Sequence, residues 1–348
     1  MHNKNMIKSI FTTLTVMAAS LLSSHADTLT VAMVGDIMMG TTHPSVMLPA
    51  NDGANLFKDS KSILQRADLA VGNLEGVLCD GGTSTKSGGP GSYSFRMPTK
   101  YAPRLREAGF DYLSMANNHA NDFGLEGIES TERCLDEQGI LYSGIAGRRE
   151  CVVLQRHGRK IGLCAFGHNH YTVRHIDFNN VARIVDSLVS TCDIVIVSFH
   201  GGAEGRDKCH LPDGPESFLG ENRGSIRELA HFCIDHGADI VYGHGPHVMR
   251  AVEVYKDRFI AYSLGNFCTP YNVSLVGISG QAPLVVVGID ENGRFLRGCI
   301  YPMTQTRGIG PRHDKTGNVI KQLRMLSECD VPQSQANISQ KGLILYAK

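Results

Sequence analysis

Short apolar runs alternate along the chain with segments of helical periodicity. Leu29 to Val34 predicts a first strand. Leu56 to Ala67 has the pattern of a helix, and Asp68 to Val71 leads into a second strand. Lys100 to Ala108 predicts a short helix, followed by a strand at Tyr112 to Met115. Leu125 to Gln138 is helical in period, and Gly139 behind it is a residue suited to closing a helix. Val152 to Gln155 and Lys160 to Phe166 flank His157-Gly158-Arg159, which predicts a hairpin. Ile176 to Val189 and Ile226 to His236 are expected helices, each followed by an apolar strand, at Asp193 to Phe199 and Asp239 to Tyr242. Met249 to Leu264 and Pro283 to Pro302 predict hairpins, the second turning at Glu291-Asn292-Gly293. Near-continuous apolar strands require cover on both faces of a sheet. The expected class is therefore α/β, with two packed mixed β-sheets flanked by helices. No linker, composition shift or internal repeat divides the chain.

The N-terminus follows a different pattern. Lys4 and Lys8 precede an uncharged stretch from Ile10 to Leu22, and Ser24-His25-Ala26 places small residues where a signal peptidase reads them. The stretch is short of the ~20 apolar residues a membrane span requires. Residues 1–26 are thus expected to be a signal peptide cut after Ala26, with an uncleaved anchor as the alternative. Residues 27–348 would form one domain, exported to the periplasm or the cell exterior. The chain has 348 residues, with Lys+Arg and Asp+Glu at 34 each and well mixed, so there is no nucleic-acid footprint. The 38 glycines and absence of Trp suit an α/β fold with many tight turns. The ten cysteines include no C-x-x-C pair, which excludes zinc-ribbon and thioredoxin readings. Cys164 and Cys299 sit in apolar runs and read equally as buried small hydrophobes or as bridge partners. Cys79 and Cys209, in polar loops, are the better disulfide candidates of an exported chain.

The chemistry follows from position. Gly35-Asp36, Gly72-Asn73-Leu74-Glu75, Asn117-Asn118-His119, His200-Gly201-Gly202-Ala203-Glu204 and Gly243-His244-Gly245-Pro246-His247 each come directly after an apolar strand. Ligands of open α/β sheets bind beyond the carboxyl ends of the strands, so these clusters are expected at one mouth. Carboxylate, amide and imidazole donors without thiolate suit Mn, Fe, Zn or Mg. Asp36, Glu75, Asn118, His200, His244 and His247 outnumber the ligands one ion needs and would serve two divalent ions. Two such ions clamp the attacking and leaving oxygens of an in-line displacement. Any one cluster alone also reads as an ordinary turn or helix cap; their coincidence at successive strand ends is what points to a site.

These strings, with Tyr93-Ser94-Phe95-Arg96, Ala120-Asn121-Asp122-Phe123-Gly124 and Tyr262-Ser263-Leu264-Gly265-Asn266-Phe267, resemble the CapA-type capsule synthesis proteins from about Leu29 to Phe267. That family, associated with poly-γ-glutamate capsules, is similar to calcineurin-like metallophosphoesterases. The resemblance implies a four-layer sandwich. It also implies Asp36 as first-strand ligand, Glu75 as bridging carboxylate, Asn118 as ligand of the second ion, and His200, His244 and His247 completing the shells. His119 would protonate the leaving oxygen and Asp122 would orient it. The chain departs from the pattern in three places. Met38 stands, as in CapA-type proteins, where metallophosphoesterases carry the histidine of Asp-x-His, which implies one nitrogen ligand fewer; Gly201 replaces a tryptophan and Gly245 a histidine of the CapA pattern, which implies a wider site.

Asn73, Arg96, Glu204 and Asn266 are the candidate substrate contacts. Arg96 suits a phosphate or carboxylate, with a surface arginine as the equal alternative. His168 and His170 follow a strand but fall outside the family's ligand positions and are expected in a loop near the mouth. Residues 81–94 are expected to be a flexible surface segment. The leading functional expectation is a metal-dependent hydrolase or transferase acting on an anionic polymer or phosphoester of the envelope or capsule. A non-catalytic polymer-handling component, working with capsule synthesis or export proteins, is the alternative, and a secreted nucleotidase a third.

Overall fold

Alternation along the strands determines how the layers stack. In β1 (Leu29–Ile37), Val31 and Met33 join one apolar cluster while Ala32 and Val34 join another. In β2 (Leu69–Leu74), Leu69 and Val71 divide from Ala70 in the same way. These strands, with β3 (Tyr112–Ser114), are buried throughout and pair in parallel. They form the centre of a nine-stranded mixed sheet, which Leu284–Ile289 extends by pairing antiparallel to β1.

The second sheet has six strands, with β4 (Ile194–His200) and β5 (Ile240–His244) parallel at its centre. Ile194, Ile196, Ile240 and Tyr242 face the first sheet, in the same cluster as Val31 and Val71. Val195, Val197 and Val241 face outward, where helices Phe178–Val189 and Ile226–Asp235 cover them with Val181, Ile184, Leu229 and Cys233. Helices Ala102–Ala108 and Gly124–Glu137 cover the outer face of the first sheet through Leu105, Ile128 and Leu135. The order is helices, sheet, sheet, helices, the four layers expected. A further short strand, β6 (Asn266–Cys268), returns beside the end of β1.

The computed structural model describes residues 28–89 and 92–347; the expected signal peptide lies outside them. Among the described residues no helix is long and apolar enough to cross a membrane. Two expectations are corrected, and one region without an assignment is filled in. Within Leu56 to Ala67 only Lys61–Leu64 is helical, because Arg312 takes the carbonyls of Asn55 and Leu56 that a helix would use internally. The cysteines are all unpaired: Cys79 is buried, its thiol directed to the Gly81 carbonyl, and Cys209 packs on the inter-sheet core. Residues beyond Pro302, assigned nothing from sequence, form the helix Asn318–Asp330, whose Val319, Leu323 and Leu326 enter the inter-sheet core, and the edge strands Ala336–Ile338 and Leu343–Tyr346.

Candidate metal centre

Strand register brings the polar clusters together. Asp36 lies opposite Asn73 on β2 and Asn266 on β6. His200 and His244 are partners across β4 and β5. The chain segments meet at distances that exclude side chains. A Cβ on Gly35 would lie 1.9 Å from the Gly265 carbonyl, and one on Gly245, at φ +119°, 2.4 Å from that of Gly201. Gly201 and Gly245 thus sit in close backbone contact between the two loops, which does not give the wider site their residue types implied.

The carboxylates and imidazoles are buried and in contact. Asp36 Oδ2 is 2.9 Å from His247 Nδ1, and Asp36 Oδ1 is 3.4 Å from His244 Nδ1. Asn73 donates from Nδ2 to Asp36 Oδ1 at 2.9 Å and to Glu75 Oε2 at 2.5 Å. Glu75 Oε2 is also 3.3 Å from His200 Nε2. Burial opposes ionisation of Asp36, but the close approach of His244 and the bond from His247 outweigh it and hold the carboxyl well below the usual range. Glu75 is pushed up to about 7 by burial and by the Asp36 charge. Burial works against a charge on His247, yet its bond to Asp36 and the charges of Asp36, Glu75 and Glu204 raise it to about 10. Burial takes His200 well below the ordinary histidine value.

Donor chemistry and satisfaction test whether metal fits here. Both ring nitrogens of His200 and of His244, Glu75 Oε1 and Asn118 Oδ1 are buried without a hydrogen-bond partner. Such atoms are costly unless something satisfies them. Asp36, Glu75 and His200 each offer a ligand atom within 4.8 Å of the others. Oxygen and imidazole donors at that spacing fit a divalent ion, and ligation would satisfy the orphaned atoms.

His119 stands beside this set. Its Nδ1 is 2.8 Å from Asp122 Oδ2, and its Nε2 is 3.9 Å from Glu75 Oε1. The Phe95 ring stacks on the imidazole at 4.1 Å. Asp122 is fully buried, accepts the Phe95 amide at 2.6 Å and pairs with Lys86 Nζ at 2.7 Å. Burial resists its charge, but His119 and Lys86 keep its carboxyl below the ordinary value. Asn117 ties the neighbouring loops together, donating to Asn73 Oδ1 at 3.0 Å and to the Leu74 carbonyl at 2.8 Å, and accepting the His119 amide.

Lys86 was missed from sequence because nothing in a Gly/Ser-rich segment marks a residue as anchored, and Phe95, quoted within a family string, was given no role. Here Thr85 bonds the Asn121 and Asp122 carbonyls, so part of the segment expected to be flexible is docked on the His119 loop. Among the expected substrate contacts, Asn73 lies in the cluster. Asn266 donates to the His247 carbonyl at 3.0 Å and keeps a buried, unpartnered Oδ1. Glu204 Oε2 is 3.8 Å from His247 Nε2. Arg96 is taken up elsewhere: it donates to Thr42 Oγ1 and to the Gly82 carbonyl, and its guanidinium lies over the Phe123 ring. His168 is buried with its ring 5.9 Å from that of His200, whereas His170 packs on Tyr171.

The model of the bacterial capsule synthesis protein PGA_cap matches residues 30–271, which contain every residue of this cluster. The chain belongs to that family. Within it, the capsule biosynthesis protein CapA of Bacillus anthracis is 29% identical over 261 residues, covering 69% of this chain and 59% of the relative. The PGA biosynthesis protein CapA of Bacillus subtilis is 28% identical over 258 residues, covering 69% of this chain and 63% of the relative. The chain thus spans about 60% of the length of these two relatives. Among solved structures, a phosphatase of Mycoplasma pneumoniae aligns with a TM-score of 0.51 and 14% identity, over 83% of this chain and 96% of that one. A hypothetical protein of Thermus thermophilus aligns at 0.50 and 18% identity, over 80% and 100%. These likenesses show the fold alone, a layered α/β architecture shared with that phosphatase. The PGA_cap chain therefore has the sandwich its strings implied, and Met38, two residues after Asp36, is fully buried.

Proposed function

We propose that the chain is an exported, metal-dependent hydrolase or transferase acting on an anionic envelope or capsule polymer of the poly-γ-glutamate type. The carrying observation is His119, oriented by buried Asp122 and presenting Nε2 to a set of unsatisfied ligand atoms. Family membership and the names of the capsule-synthesis relatives support the polymer, and proteins of capsule synthesis or export would be its partners.

Asp36, Glu75, Asn118, His200, His244 and His247 would hold two divalent ions, which supply Lewis acidity toward a phosphoryl or carbonyl oxygen when bound. Asp122 accepts the Nδ1 proton of His119 and so fixes which nitrogen faces the reaction. His119 in its doubly protonated form, with Nδ1–H kept on Asp122, then delivers the Nε2 proton to the leaving oxygen and is left as the neutral Nδ1–H imidazole, which regains a proton from solvent. Phe95 stacks on the ring and limits its rotation. Asn73 holds Asp36 and Glu75 in one orientation through a single amide.

The test is hydrolysis of phosphomonoesters, phosphodiesters and poly-γ-glutamate with Mn supplied. Turnover by wild type that falls in His200→Ala supports the reading. A second reading, non-catalytic polymer handling, is favoured by Met38, which removes one nitrogen donor. Equal background turnover in wild type and His200→Ala, with metal bound to the wild type, would favour that second reading.

A further inference from the structure

On the second-sheet side of the centre a small ribbon, Glu216–Phe218 paired with Glu221–Gly224, lies over the loop that follows His200. It is fixed there from both strands. The Arg223 carbonyl accepts the Gly202 amide at 2.8 Å. Glu216 accepts the Ala203 amide and takes the fully buried Arg250 in a two-pronged pair, both bonds 2.7 Å. Sequence reasoning assigned this ribbon no role.

The ribbon delivers a guanidinium to the edge of the centre. Arg223 is 3% exposed and lies over the Phe218 ring. One terminal nitrogen donates to Glu204 Oε1 at 2.9 Å, and the other oxygen of Glu204 faces His247. Its other terminal nitrogen is 3.0 Å from Glu221 Oε2, whose side chain is 50% exposed. Its Nε is buried without a partner.

The two carboxylates are not equivalent. Glu204 is largely enclosed and bridges Arg223 to a candidate ligand. Glu221 reaches in from solvent, half exposed and also 3.4 Å from His168 Nε2, so it is the more displaceable of the two. Replacing Glu221 by another anion leaves the local charge unchanged, so occupancy requires no new net charge to be buried. It also offers Nε a partner, because a guanidinium edge binds two oxygens of a carboxylate or phosphate together.

We propose that Arg223 anchors the substrate: the edge now covered by Glu221 takes a carboxylate or phosphate of the bound polymer next to the reacting bond, while Glu221 swings into solvent. This rests on the polymer reading above and specifies an anionic group flanking the reacting bond as what the site recognises. The test reads binding rather than turnover, so it stands apart from whether phosphoesters are hydrolysed. Metal-free full-length protein is titrated calorimetrically with glutarate and with inorganic phosphate. Tighter glutarate binding would mark a polycarboxylate and tighter phosphate binding a phosphate-linked polymer; either supports the subsite. Arg223→Met should weaken the preferred anion roughly tenfold to a hundredfold. Because that change leaves Glu204 without its partner, the second variant is Glu221→Gln at the exposed position. It removes the competing carboxylate and should tighten binding, by up to about fivefold. No binding of either anion by wild type would overturn the proposal. So would equal affinity in wild type and folded Arg223→Met, or unchanged or weaker affinity in Glu221→Gln.

Discussion

Replacing His119 by alanine removes an imidazole that is held by Asp122, a carboxylate outside the candidate ligand set. The loss is local. The His119 amide keeps its bond to Asn117, and Asp122 keeps Lys86 at 2.7 Å and the Phe95 amide at 2.6 Å, so no buried carboxylate is stranded. Loss of the stack on Phe95 is expected to cost about 1–2 kcal/mol of stability, within reach of a folded protein. Proton delivery to a leaving oxygen contributes about 10²- to 10⁴-fold, or roughly 2.7–5.5 kcal/mol of barrier. The assay is kcat/KM over a series of phosphoesters whose leaving groups differ in basicity, with metal content measured on the same samples. The deficit of His119→Ala should grow as the leaving oxygen becomes more basic, because such groups depend most on protonation. Metal content should hold, since His119 Nε2 is 3.9 Å from Glu75, a candidate ligand carboxylate, and Nδ1 is engaged by Asp122. Full activity across the series would refute the acid role, and lost metal would make His119 a ligand.

Other outcomes follow from the same geometry. Gly35→Ala would put a methyl 1.9 Å from the Gly265 carbonyl, backbone that no rotamer change can move, and should lower stability by more than about 3 kcal/mol in urea unfolding; an unchanged midpoint would refute the close approach. Burial raises Asp239 from 3.8 to about 6, only partly offset by the Val195 amide and Arg258. The folded state therefore holds this proton more tightly. The contribution is fully present below the unfolded value and is lost as pH rises through about 6, a change of roughly 3 kcal/mol. Stability of wild type relative to Asp239→Asn should accordingly fall between pH 4 and pH 6, and parallel curves would contradict it. If the leader is cleaved as its pattern predicts, N-terminal sequencing of exported protein should begin at or near Asp27; an intact Met1 in the membrane fraction would mean an anchor.

The core was legible where burial and order in the chain coincide. β1, β2, β4 and β5 are apolar on both faces, so their runs and the polar residues ending them stand out without knowledge of their neighbours. Asp36, Glu75, His200 and His244 could therefore be named from sequence. The Glu216–Gly224 ribbon could not, because strands as polar as Glu-Ser-Phe and Glu-Asn-Arg-Gly are stabilised by Arg250 and by backbone contacts with the loop at Gly202, not by an alternating apolar face. The helix expected at Leu56 to Ala67 failed for a related reason: its carbonyls are taken by Arg312, 256 residues away in sequence from Leu56. Arg96 has a residue type suited to anions, but Thr42, Gly82 and Phe123 occupy it, partners that sequence spacing does not reveal.

Metal content tests the account most directly. Purified protein stripped with a chelator, reloaded with Mn and freed of excess should retain about two ions per chain by elemental analysis. His200→Ala and His244→Ala should each retain fewer, with the fold intact by circular dichroism. A wild-type stoichiometry near zero would contradict the centre, leaving the buried nitrogens of His200 and His244 and the free oxygens of Glu75 and Asn118 without the partner assigned to them here.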